Sequence, residues 1–159
     1  MGDLPMMQKW VADPEVVKHT IQNTKTSEEE ARWLESTINN PNELLWTIII
    51  NEIQKPIGDC ILHLKPSDPL FTREEGVSLG IMLGEKDEWG KGYGTEAITL
   101  AVQYACDVVK ASRVWLTVDT LNLRAQQSYR KVGFCFVRKQ HNPDRIHSRQ
   151  EQYLMEICF

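Results

Sequence analysis

This sequence is poor in long apolar runs. The densest, Leu44 to Ile50, is broken by Thr47 and falls far short of the roughly 20 apolar residues a membrane helix requires. No charged segment followed by an apolar one stands at the N-terminus, so no secretory leader and no membrane are expected, and the chain reads as cytoplasmic. There are only four cysteines (Cys60, Cys106, Cys135, Cys158) and no C-x-x-C pair. Each falls in an apolar strand or helix pattern, which predicts buried thiols in a reducing compartment rather than a disulfide framework. Positive charge is not in excess: the net charge is −4, which speaks against general nucleic-acid binding. There is no low-complexity tract and no internal repeat, so solenoids and arrays are excluded. What remains is an ordinary 159-residue composition, 42% apolar and 25% charged. It is enough for one domain, 1–159, with a real core.

The pattern predicts helices first. Asp3 with Pro5 starts one, on which Met6, Met7, Trp10 and Val11 recur at helical spacing. Asp13-Pro14 breaks it, and Glu15 to His19 forms a short further turn. Thr26 or Ser27 caps the next helix, with Glu28, Glu29 and Glu30 in its first turn and Ala31, Trp33, Leu34, Thr37 and Ile38 on its inner face. Three β-branched runs follow, Leu44–Asn51, Ile57–Leu64 and Val77–Leu83, with a turn at Gln54-Lys55-Pro56 and a loop from Lys65 to Pro69. A helix is expected over Thr95–Lys110, burying Ile98, Ala101, Val102, Ala105 and Val109. A strand over Arg113–Asp119 and an Asn122-capped helix to about Val132 with Gly133 at C′ come next. Phe134–Lys139 and Gln152–Phe159 close the pattern as paired strands. The fold class is α+β: one mixed, mostly antiparallel sheet, the first three strands a meander and the helix after the third a parallel crossover.

The whole is organised around Trp89-Gly90-Lys91-Gly92-Tyr93-Gly94-Thr95, which holds three of the nine glycines and runs straight into a helix. Glycine admits positive φ and close backbone approach. The free N–H groups of a helix N-terminus and its dipole then favour phosphate. A plain tight turn is the bland alternative. Two phosphate loops do not fit. The P-loop pattern G-x-x-x-x-G-K-[ST] is absent. The dinucleotide pattern is met formally by Gly92, Gly94 and Ala97, with Asp119 ending the next strand. However, Gly84 to Trp89 intervene between strand and glycines, and only about 40 residues follow Asp119.

Two separated segments agree on a third type. Glu88-Trp89-Gly90-Lys91-Gly92-Tyr93-Gly94-Thr95-Glu96-Ala97 resembles the acyl-CoA pyrophosphate loop of the GNAT N-acetyltransferase superfamily. Asn122 to Phe134 is similar to its second cofactor segment, N-x-x-A-x-x-x-Y-x-x-x-G-F. Asp3 to Trp10 with Asp13 to Val16 is similar to the first helix of the branch that holds ribosomal-protein N-terminal and polyamine acetyltransferases. The resemblance spans about Leu4 to Phe159 and implies the acyl-CoA N-acyltransferase fold, with helices on both faces of the sheet. It departs in two places. Relatives usually carry a strand before the first helix, and here only two residues precede Asp3. Either that strand is missing, or the functional start lies upstream, or another segment covers that sheet edge. An uncovered edge is where partner contact, a homodimer, is expected. Trp89 stands where Gln or Arg is usual, so it is expected to supply backbone and packing rather than charge.

The resemblance further implies that acetyl-CoA lies in a V between Val77–Leu83 and Arg113–Asp119. Its pantetheine would pair with the backbone of Ile81, Met82 and Leu83. Its pyrophosphate would take amides from the Trp89–Thr95 loop: Lys91, Gly92, Gly94 and Thr95, within the segment that also includes Gly90 and Tyr93. Asn122 and Ser128 complete the cofactor set. A primary amine would attack directly, with Tyr129 as acid for the departing thiolate, since a phenol of pKa about 10 matches a thiolate in basicity. The base is open. Relatives carry a glutamate where Ser78 stands, and serine needs a helper; Glu74, Glu75, His63 and Asp119 are the nearby acceptors. Glu28 to Glu30 would form at most an acidic rim. The basic group Arg138, Lys139, His141, Arg145, His147 and Arg149 reads by default as a solvated hairpin, and no metal is expected. The acceptor, a peptide N-terminus or a small amine, has no recognisable signature. Ser78 and the missing strand keep a non-catalytic acyl-CoA-binding module as the alternative.

Overall fold

The structure is a computed structural model that describes residues 4–20, 26–65, 76–141 and 151–159. Asp3, the expected loop over 66–69, Glu74, Glu75, Arg145, His147 and Arg149 lie outside the described residues.

Helix α1 (Leu4–Ala12) ends where Asp13 caps α2 (Pro14–Val17) through Glu15 N–H. Helix α3 (Ser27–Ile38) opens with a full capping box: Thr26 accepts from Glu29 N–H, and the Glu29 carboxylate accepts from Thr26 N–H. Such a cap is worth about 1 kcal/mol. The buried face of α3 differs from the expected one. Glu30, Leu34 and Thr37, spaced four and three apart, turn inward, whereas Ile38 is exposed. The single glutamate on the inner stripe is masked in the sequence by its two neighbours.

Strands β1 (Glu43–Ile50) and β2 (Lys55–His63) form an antiparallel hairpin whose turn lies at 51–54, with Gln54 in the left-handed region at φ 51°. The turn therefore comes before Lys55-Pro56, which belong to β2. Strand β3 (Val77–Leu83) pairs antiparallel with β2. A short 3₁₀ turn (Lys86–Glu88) then leads into α4 (Tyr93–Asp107), which starts and stops a few residues earlier than the pattern suggested. Strand β4 (Arg113–Asp119), α5 (Leu123–Val132), β5 (Cys135–His141) and β6 (Glu151–Cys158) complete the order. Asn122 and Gly133 cap α5 as expected, Gly133 at φ 115°.

The six strands make one mixed sheet, β1-β2-β3-β4-β6-β5, in which only β3 and β4 run parallel. Among the described residues no strand precedes α1, and β1 is an edge. Helices cover both faces. On one, Ile98, Ala101, Val102 and Ala105 of α4 and Tyr129 of α5 pack on Leu62, Leu79, Val114 and Leu116. On the other, Met7, Trp10 and Leu34 pack on Leu45 and Met82. Two of the four thiols break the expectation of burial: Cys60 is buried and Cys106 partly so, but Cys135, on the edge strand β5, and Cys158, at the end of β6, are exposed. No helix among the described residues is long and apolar enough to cross a membrane.

Candidate functional site

The site starts from a failure of pairing. Strands β3 and β4 are partners only at Val77–Val114 and Ser78–Trp115. Beyond that point each is held by its other neighbour, β3 by β2 as far as Leu83 and β4 by β6 as far as Asp119. The two arms splay into a V, and a cleft of about 1320 Å³ runs through it. Ser78, Ile81, Met82, Leu83, Trp89, Gly90, Gly92, Tyr93, Gly94, Thr95, Asn122, Ser128 and Tyr129 all line this cleft. Of the expected cofactor residues within the described segments Lys91 is absent from its wall, and of the candidate acceptors His63 lines it and Asp119 does not.

The arm offers its backbone unevenly. Gly84 N–H bonds to Ile57 C=O across to β2. A Cβ built on Gly58 would sit 2.2 Å from the Met82 carbonyl oxygen, so that carbonyl also points at β2. Peptide groups of a strand alternate in direction. The Met82 backbone is therefore committed to β2, contrary to expectation, while that of Ile81 faces the V. Leu83 keeps its N–H toward the V, but its carbonyl accepts from Trp89 Nε1–H at 2.8 Å.

At the mouth of the V lies the glycine loop. Gly90 (φ 79°) and Gly92 (φ 96°) occupy the left-handed region, and a Cβ on either would meet no protein atom within 4 Å. Conformation alone demands glycine there. Gly94 differs: it sits in the first turn of α4, and a Cβ would come within 3.2 Å of Leu83 Cδ1. The first helical bond runs from Glu96 N–H to Gly92 C=O. The amides of Tyr93, Gly94 and Thr95 thus precede the ladder and have no intrahelical acceptor. Three such donors at the positive end of a 15-residue helix fit a diphosphate, each charge-assisted bond contributing about 1.5–3 kcal/mol. The Lys91 ammonium is already engaged by the buried Glu88 at 2.9 Å, which also holds Lys55 at 2.8 Å. That triad braces the loop against the start of β2, so the amides rather than the lysine are left for an anion.

Trp89 packs as expected, and it does more. Arg124, at the start of α5, lies 3.8 Å over its ring. This cation–π contact joins the two sequence segments on which the site is built. Arg124 carried no individual signal in the sequence. Asn122 spends Oδ1 on Ala125 N–H at 3.1 Å as the α5 cap.

Tyr129 is 7% exposed and packs against Phe134 with ring centroids 5.8 Å apart, yet it reaches the cleft wall. Burial first, and the neighbouring Cys60 second, push its phenol above the usual value, so it keeps its proton at neutral pH. Ser78 is buried at the vertex. His63 contacts the Glu43 carboxylate, and across the V His19 Nδ1 lies 3.0 Å from the buried Asp119 carboxylate. Neither Glu43 nor His19 had been marked by the sequence pattern, because each meets its partner only through strand register or a contact 100 residues away.

Residues 1–135 match the family model of the GNAT acetyltransferase domain. The chain belongs to the GNAT acetyltransferase family. An N-acetyltransferase 9-like protein of Nematostella vectensis is 23% identical over 140 residues, covering 82% of this chain and 69% of that one. In fold, the chain is similar to spermidine N-acetyltransferase from Vibrio cholerae in complex with CoA and spermine (TM-score 0.84, 17% identity, 99% of this chain and 90% of that one). It is likewise similar to aminoglycoside acetyltransferase AAC(6')-Ib in complex with coenzyme A (TM-score 0.83, 20% identity, 99% and 90%). Membership makes acetyl-CoA the co-substrate.

Proposed function

We propose that this GNAT chain, a single domain over 1–159, moves an acetyl group from acetyl-CoA to a primary amine by direct attack. The amine is a peptide N-terminus or a small amine; relatives in the fold act on spermidine and aminoglycosides. The observation that carries this reading is the alignment of the α4 N-terminus, with three amides that precede its first intrahelical bond, on the mouth of the β3–β4 V. Acetyl-CoA supplies the acyl group and a thiol leaving group. The Tyr93, Gly94 and Thr95 amides bind its diphosphate, and Ile81 and the Leu83 N–H hold its amide-bearing arm. Tyr129 delivers a proton to the departing sulfur. The net negative charge favours neither nucleic acid nor an anionic membrane as partner. We place the protein in the cytoplasm and take the β1 edge as the contact of a homodimer.

One observation favours a second reading: Ser78 stands where a proton acceptor is needed, which suits a non-catalytic acyl-CoA-binding module. Thiol release from acetyl-CoA over a panel of peptides, polyamines and aminoglycosides decides between them. Turnover on any amine supports the enzyme; tight CoA binding without turnover supports the module.

A further inference from the structure

The strand register brings together three side chains that lie far apart in the sequence. Glu43 of β1 is directly opposite His63 of β2, and His63 is directly opposite Ser78 of β3. Residues directly opposed in antiparallel strands project from the same face. The row therefore lies on the face toward α1 and α3, and all three residues line the cleft. His63 Nδ1 is 2.5 Å from Glu43 Oε2. Its other nitrogen, Nε2, is 4.0 Å from where a Cβ on Gly80 would be. Gly80 lies past the vertex, on the part of β3 that β4 has left. The imidazole is thus anchored at one nitrogen while the other hangs over the floor of the V. Its side chain is 38% exposed, so it exchanges protons with solvent.

We propose that His63 is the base that deprotonates the acceptor amine, and that Glu43 is its positioning residue. This rests on the acetyl-transfer reading and deepens it. His63 Nε2 takes one proton from the ammonium, which frees the nitrogen lone pair. As that nitrogen forms its bond to the acyl carbon, the carbon–sulfur bond breaks and sulfur leaves with the electron pair. The nitrogen then loses its second proton, which restores the Tyr129 phenol that protonated the sulfur, and His63 returns its own proton to water. The Glu43 carboxylate beside Nδ1 makes no aligned hydrogen bond there; its charge favours the proton on Nδ1, which leaves Nε2 bare, and stabilises the imidazolium. Tyr129 approaches the V from the α4–α5 face and His63 from the opposite one. Acid and base therefore flank the reacting carbon rather than compete for it. Ser78, between His63 and Trp115 in the register, is small enough to leave the amine room. The other charged groups and histidines on the same cleft are Glu15, Lys18, Glu30, Asp59, Lys65, Glu88, Arg124, Lys131, His141 and His19, the last in contact with Asp119.

The test uses the full chain with acetyl-CoA and the best amine from the panel above, and compares wild type with His63→Gln, Glu43→Gln and His19→Gln. His63→Gln is expected to lower kcat/KM about 10²–10⁴-fold near neutral pH while leaving the Kd for CoA unchanged. Its pH profile loses the lower inflection of the wild type and climbs with the amine's own ionisation. Glu43→Gln keeps an inflection but loses rate. Nitrogen NMR of the protein without cofactor is expected to show His63 as the Nδ1–H tautomer in wild type, with that preference lost in Glu43→Gln. If His63→Gln keeps both rate and inflection, or if His19→Gln removes the inflection instead, His63 is not the base although acetyl transfer stands. A tautomer unaffected by Glu43→Gln overturns the positioning role. Should wild type bind CoA and acetylate no amine, the reading beneath the proposal falls and takes the proposal with it.

Discussion

Gly84 ends β3's run into the cofactor loop, and nothing in its own φ demands glycine. Space does. A Cβ built there would lie 2.0 Å from Cγ, 2.1 Å from Cδ2 and 2.3 Å from Cδ1 of Trp10, inside the indole ring. Trp10 is 1% exposed and tied by Nε1–H to Glu85 at 2.8 Å, so the ring has little room to retreat. The backbone is no freer, since Gly84 N–H holds Ile57 C=O at 2.8 Å. Overpacking of a core costs about 1–3 kcal/mol. With ring and backbone both pinned, Gly84→Ala belongs at the upper end, about 3 kcal/mol, which for a chain of this size lowers Tm by roughly 6–12 °C. Trp10→Ala alone should cost about 3–5 kcal/mol. In that background the new methyl falls into vacated space and costs nearly nothing, so the double mutant should match Trp10→Ala. The coupling is then about 3 kcal/mol, large even for residues in contact. Urea unfolding followed by far-UV circular dichroism measures all four corners of the cycle without relying on tryptophan fluorescence. Additive effects, or a cost below about 0.5 kcal/mol for Gly84→Ala alone, would refute the packing argument.

Tyr129→Phe should lower turnover by about 10²–10⁴-fold with CoA affinity nearly intact by calorimetry; an unchanged kcat removes Tyr129 from the mechanism. Gly92→Val forces a β-branched residue toward φ 96° and should abolish CoA binding, whereas retained affinity would count against the loop. Stability should fall at alkaline pH in a predictable way. Burial pushes the Cys60 thiol from 9.0 up to about 12, so between those values the unfolded chain has released a proton that the native state keeps. Stability is fully present below pH 9 and is lost as pH rises through that window, at up to about 1.4 kcal/mol per pH unit. Tyr129 adds a loss of the same sign. Cys60→Ala should flatten the decline between pH 9 and pH 10 in urea titrations; parallel declines in wild type and variant would show that Cys60 is not its source.

The elements were legible because periodicity and caps are local. The stripe Ile98, Ala101, Val102, Ala105 is buried as its spacing implied, and Asn122 and Gly133 bound α5 where cap chemistry placed them. The glycine loop was legible too, because three glycines before a helix leave few physical alternatives. Register was not. A turn at Gln54-Lys55-Pro56 would have slid β1 along β2 and carried Glu43 past His63. The actual turn comes earlier, with a left-handed Gln54 and an irregularity between Ile48 and Ile49. No composition signal marks Gln54 for positive φ, so the pairing that creates the Glu43–His63 contact was invisible. Met82 failed for a related reason: which peptide groups face the V depends on strand pairing, not on side chains.

The division of labour in the cleft follows from one connection. Strands β3 and β4 are parallel, so the chain must cross over between them, and it does so as α4 on one face of the sheet. A crossover helix starts beside the carboxyl end of the strand it leaves, which puts its positive terminus at the mouth of the V. An anionic cofactor is drawn to that end, and α5 brings Tyr129 down on the same face. The opposite face is built from the antiparallel meander and can only be furnished by residues aligned across β1, β2 and β3. That is where Glu43, His63 and Ser78 stand. An acceptor amine held there meets the acyl group through the gap between the strands. The same short pairing that opens the V therefore also separates acid from base, and a substitution that extended β3–β4 pairing beyond Trp115 would close both the cofactor's berth and the amine's path to it.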